Sequence, residues 1–112
     1  MSDVLRCWCA TCGKQAGRVV RNGDGELVFE GIERFNSARL MRRLGINAAR
    51  PDEWRNMPSV IVLPEPDGEG DRVSTACRGG HELVADLVEL VRDHRSGRRS
   101  VVLQPMKRYA VD

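Results

Sequence analysis

The chain has 112 residues, 41% of them hydrophobic and 30% charged, and carries a net charge of +2. This is the composition of one ordinary globular domain, which argues against disorder and against a second domain; the net charge alone does not imply nucleic-acid binding. The longest charge-free stretch, residues 56–64, spans 9 residues and holds two prolines, far short of the ~20 that a membrane helix needs.

The elements follow in chain order. Residues 4–8 read as a short strand that enters a turn at 9–13. Residues 18–21 and 26–30 read as two strands joined by Asn22-Gly23-Asp24-Gly25, a hairpin signal because Asn and Gly tolerate positive φ. Asn36 or Ser37 caps a helix running to Leu44, with Leu40, Met41 and Leu44 on one face and Gly45 at its end. Pro51-Asp52-Glu53-Trp54 reads as the first turn of a second short helix, with proline at its first position and acids near the positive end of the dipole. The β-branched run 60–63 reads as a strand, residues 64–72 as a solvated acidic loop, and 73–76 as another short strand. Residues 82–95 read as a long amphipathic helix, because Leu83, Val84, Leu87, Val88, Leu90 and Val91 recur at helical spacing. Residues 101–103 make a final strand. The helix stripe needs a sheet to cover it, and strands 60–63 and 101–103 are the natural partners.

Four cysteines, Cys7, Cys9, Cys12 and Cys77, carry the chemical signal. No export signal is visible at the start of the chain, so a reducing cytoplasm is expected, where clustered cysteines read as metal ligands before disulfides. Cys9-x2-Cys12 is followed by Gly13, and Cys77-Arg78-Gly79-Gly80-His81 offers a second half-site on two glycines. Tight turns of this kind let backbone amides face the sulfurs and stabilise their charge. Three thiolates, one imidazole and Zn²⁺ make a closed tetrahedral set of net charge −1, which Arg78 partly screens. Cys7 is an alternate ligand through a Cys7-x4-Cys12 spacing; the other reading is a buried spare thiol. His94 is a rival to His81, but its place in the 82–95 helix favours a solvated helix-end histidine.

These residues resemble a zinc ribbon: a Cys-x2-Cys-Gly knuckle, a hairpin, and a second knuckle at the end of another strand. The resemblance covers residues 4–31 and 73–81. It departs from the usual pattern in the Cys-x3-His half-site, in Ala10 where proline is usual, and in a long insertion between hairpin and second knuckle. It implies that Cys9, Cys12, Cys77 and His81 hold a structural Zn²⁺, and that the surfaces bind protein or nucleic acid.

The expected fold is therefore α+β: a zinc-ribbon-like antiparallel β core with an inserted helical segment and a long C-terminal amphipathic helix. A single domain spans 1–112: knuckle and hairpin 4–31; helical insertion 34–57; strand, acidic loop and second half-site 60–81; helix and final strand 82–104; basic tail 105–112. The expected function is a small cytoplasmic, non-enzymatic zinc module that binds a protein partner, with Trp54 and Met57 as candidate anchors. Arginine supplies 16 of the 18 basic residues, which suggests a GC-rich bacterium or its phage and a regulatory or accessory role. The alternative is nucleic-acid binding through Arg39, Arg42 and Arg43 on the insertion and Arg95, Arg98, Arg99, Lys107 and Arg108 near the C-terminus. A zinc enzyme is the weaker alternative, since it needs an open coordination position and a general base. A thioredoxin-like redox pair is disfavoured because a glycine and a hairpin, not a helix, follow Cys9-x2-Cys12.

Overall fold

The computed structural model describes residues 3–47, 49–65 and 72–105, and the side chains of all of these except Ala38, Arg39, Pro51 and Trp54. The acidic loop largely falls outside these residues.

Alternation builds the first hairpin. In β1 (Leu5–Cys9) Leu5, Cys7 and Cys9 are buried, while Arg6 and Trp8 face outward. β2 (Gln15–Arg21) pairs antiparallel with β1 and with β3 (Leu27–Gly31). The turn between β2 and β3 forms as expected: the Asn22 side-chain oxygen accepts from the amides of Asp24 and Glu26 at 2.9 and 3.0 Å. Helix α1 (Ala38–Leu44) starts where the Ser37 hydroxyl accepts the Leu40 amide at 3.2 Å, and ends at Gly45. A 3-10 turn, Pro51–Asn56, follows, then the short strand β4 (Val60–Val62) beside β3.

The second half departs from expectation. The fold is mainly β, not α+β, and among the described residues there is no long C-terminal amphipathic helix. The expected helix 82–95 divides into β6 (Glu82–Asp86), paired with β5 (Arg72–Ala76), and a 9-residue helix α2 (Leu87–Arg95). Leu83 and Ala85 are buried at period 2, which serves a strand as well as Leu83 serves a helical stripe. Asp86 decides the boundary: its carboxylate accepts the amides of Val88 and Glu89 at 3.1 and 3.2 Å, so the helix begins after it.

β7 (Ser100–Pro105) then inserts between the two halves, parallel to β1 and antiparallel to β6. One seven-stranded sheet results, in the order β4-β3-β2-β1-β7-β6-β5. It curls: Asn36, just beyond β3, exchanges backbone hydrogen bonds of 2.9 and 2.8 Å with Ser74 of the far edge strand. The concave face encloses one aliphatic core in which Leu63, Val101 and Leu103 join Leu87, Leu90 and Val91. Phe29 and Phe35 stack within it with ring centroids 5.1 Å apart. β4, read from sequence as a buried partner for the helix, is an edge strand whose Val60 and Val62 are exposed. No helix among the described residues is long and apolar enough to cross a membrane.

Candidate metal centre

Each half-site is the turn of a β-hairpin. β1 ends at Cys9, whose amide donates to the Lys14 carbonyl at 2.8 Å, while the Gly13 amide donates back to the Cys9 carbonyl at 2.9 Å. β5 leads into Cys77, whose amide donates to the His81 carbonyl at 3.2 Å before β6 begins. The Arg78 amide donates to the Gln15 carbonyl at 3.1 Å, which clamps the second turn onto the first hairpin.

Cys9, Cys12, Cys77 and His81 thereby converge, with one donor atom from each lying within 4.8 Å of all the others. Cys12 Sγ is 3.6 Å from Cys77 Sγ, and Cys77 Sγ is 3.5 Å from His81 Nδ1. A tetrahedral ion with metal–sulfur bonds of about 2.3 Å and a metal–nitrogen bond of about 2.05 Å separates two sulfurs by about 3.8 Å and a sulfur from a nitrogen by about 3.6 Å. These two separations are close to those such an ion requires, and the remaining donor pairs lie within 4.8 Å. Cys9 and Cys77 are buried, Cys12 and His81 exposed, so the set lies at the rim of the sheet. Gly79 packs directly against the donors: a Cβ on it would be in van der Waals contact with Cys12 Sγ, Cys77 Sγ and His81 Nδ1 at 3.4 to 3.5 Å.

Backbone amides prepare the sulfurs. The Thr11 amide donates to Cys9 Sγ at 3.3 Å and the Gly79 amide to Cys77 Sγ at 3.2 Å. Burial alone pushes the Cys77 thiol up, but the amides of His81 and Gly79 and the neighbouring thiols of Cys12 and Cys9 outweigh it and bring Cys77 down to about 7. Cys9 follows the same pattern: burial opposes its thiolate, and the Cys12 and Thr11 amides lower it below the usual thiol value. Cys12 moves the other way. The Lys14 amide lowers it, but burial and the two adjacent thiols together raise it. Three close sulfurs share thiolate charge unevenly until a cation offsets them.

Cys7 is outside this group. It is fully buried on the core face of β1, opposite Gly17 and Val101, and burial, reinforced by the charge of Asp93, pushes its thiol up to about 12. It packs as a small hydrophobe, the alternative to ligation that the sequence had left open. His94 is also separate, and it is not solvated: its side chain is 7% exposed, and Nε2 lies 3.0 Å from both the carboxylate and the carbonyl of Asp3.

The binding residues read from sequence scatter. Arg42 and Arg43 are exposed on α1, and Arg95, Arg98 and Arg99 are exposed at and beyond the end of α2, so the two groups occupy separate elements. Lys107 and Arg108 lie outside the described residues, as do the side chains of Arg39 and Trp54. Met57 is 4% exposed and belongs to the core. Sequence reasoning missed the outward row Arg6 and Trp8 on β1, although the alternation with Leu5, Cys7 and Cys9 was its signal.

No family model, curated protein or solved structure matches the chain. The two turns bring together the four donors that the zinc-ribbon resemblance names, but β7 separates the hairpins that carry them.

Proposed function

We propose that this protein is a small zinc-binding interaction module, in which the ion locks two hairpins of a curled sheet and the protein acts by binding a partner, not by catalysis. One observation carries the reading: four donors from two hairpin turns, three sulfurs and one imidazole nitrogen, converge within 4.8 Å. Soft sulfur donors at tetrahedral spacing suit Zn²⁺ over the harder cations. Because the protein supplies all four donors, a fully ligated ion keeps no position for a substrate or an activated water, which supports a structural role. The amide donors to Cys9 and Cys77 do the same, since they stabilise thiolate whether or not a substrate is present.

The test is zinc stoichiometry on purified protein, with tetrahedral cobalt absorption as an independent report of the donor set. One ion per chain is expected, with loss of stoichiometric binding in Cys77→Ser and His81→Ala. Full retention of zinc by both variants would falsify the ligand assignment.

A further inference from the structure

The outward face of the sheet holds a second feature, distinct from the metal donors. Arg6 on β1 stands directly opposite Arg18 on β2 and Ser100 on β7, and both arginines are exposed. Like charges facing each other across strands are unfavourable. Glu30 relieves only one of them, meeting Arg18 Nε at 2.6 Å. Among the described residues, no ion pair holds Arg6, Lys14, Arg78 or Arg99.

Next to this pair lies a recess of about 480 Å³. Its floor is the paired backbone of Gly17 and Gly31, and Arg18, Glu30, Gln15 and Arg78 stand around it. Gly17 has a φ of +145°, and a Cβ there would meet the Glu30 carbonyl oxygen at 2.7 Å and the core side chain of Phe29 at 2.8 Å, so this strand crossing accepts only glycine. Arg78 reaches this place because the second knuckle is clamped to Gln15. Two residues along β1 from Arg6, Trp8 lies opposite Gln15 and Val102; it is half-buried, and Val102 beside it is 55% exposed.

We infer that this face binds single-stranded nucleic acid, with phosphates at Arg6, Arg18 and Arg78 and an unstacked base against Trp8. Arg6 and Arg78, which no ion pair holds among the described residues, flank the Arg18–Glu30 pair, and with the half-buried indole of Trp8 they provide the two elements such binding uses, a cationic track and a stacking surface. A duplex keeps its bases stacked inside and offers Trp8 nothing to stack on. The inference rests on the interaction-module reading, because the metal knuckle places Arg78.

The experiment is fluorescence anisotropy of a short fluorescein-labelled oligothymidylate with the full-length, zinc-loaded protein at rising salt. Three phosphate contacts give a log–log salt slope of about −2. Arg6→Gln lowers that slope by about 0.7, and Trp8→Leu weakens binding roughly tenfold with the slope unchanged. Each variant's zinc content and unfolding midpoint are measured alongside, and Arg6→Gln, a fully surface change, guards against a folding defect in Trp8→Leu. The inference fails if zinc-loaded wild type shows no binding at low salt, or if both variants bind as wild type does. It also fails if a duplex of equal length binds as tightly, or if polyglutamate displaces the oligonucleotide at equal charge, which would make this an acidic-peptide surface. A protein that holds no zinc overturns the module reading, and the anisotropy data still decide this one separately.

Discussion

Metal removal is the most direct perturbation of this fold, and its size follows from general quantities. Zinc held at 100 times its dissociation constant stabilises a protein that binds it only when folded by about 2.7 kcal/mol. At about 2.1 cal/mol/K per residue, this chain unfolds with an entropy of about 0.24 kcal/mol/K. The midpoint of thermal unfolding therefore rises by about 11 °C between chelated and zinc-buffered protein. Circular dichroism melts at defined free zinc measure it. His81 is exposed, so His81→Ala leaves the chelated midpoint near that of wild type while removing most of the zinc-dependent rise. Cys7→Ala does the reverse: it lowers both midpoints through a core cavity and keeps the rise, because Cys7 is fully buried and apart from the donors. A zinc-independent wild-type midpoint, or a rise that survives in both His81→Ala and Cys77→Ser, refutes the reasoning.

Other outcomes follow from particular contacts. Asp86→Ala removes the acceptor for the Val88 and Glu89 amides and lowers stability by about 1 kcal/mol, or about 4 °C, whereas Asp86→Asn keeps most of the cap; equal melts for both variants and wild type would remove Asp86 from the helix boundary. In metal-free protein, ultraviolet thiolate absorbance rises with a midpoint near pH 7, where Cys77 titrates, and Cys77→Ser shifts the first step upward. The folded value near 7 lies below the unfolded 9, so the stability that Cys77 contributes is complete above pH 9 and is lost as pH falls through 7. For Cys7 the sign is opposite: its folded value of about 12 lies above 9, so its contribution holds below pH 9 and fades as pH climbs toward 12, a decline that Cys7→Val abolishes. With iodoacetamide and mass spectrometry, Cys12 is alkylated in metal-free protein and protected by zinc, while Cys7 reacts only on unfolding.

Much of the local structure was legible because it rests on local chemistry. Asn22 turns the chain with its own side chain, Ser37 caps α1 with its hydroxyl, and Gly45 closes that helix. The donor set was legible for the same reason: two short glycine-bearing turns each carry a pair of donors. The long helix was misread because residues 82–95 satisfy two periodicities at once. Leu83 suits both, and the helical stripe counted from it concealed the strand alternation of Leu83 and Ala85. The Asp86-x-x-Glu89 spacing, a helix start, was present in the sequence inside the stretch read as one continuous helix.

What the sequence by itself determined is a set of short-range structures: the hairpin, the Ser37 and Gly45 caps of α1, and the cysteine and histidine turns. Each depends on groups within a few residues of one another, so neighbours in sequence suffice. Only the tertiary structure decided between Cys7 and Cys9, since both face inward on β1 and differ in what lies across from them: the core for one, Cys77 and His81 for the other. It alone placed β7 between β1 and β6, made the aliphatic β4 an edge, and set Arg6, Arg18, Arg78 and Trp8 on one face. Those outcomes depend on strand order and register, which come from burying one shared core across the whole chain and leave no mark in any single stretch of it.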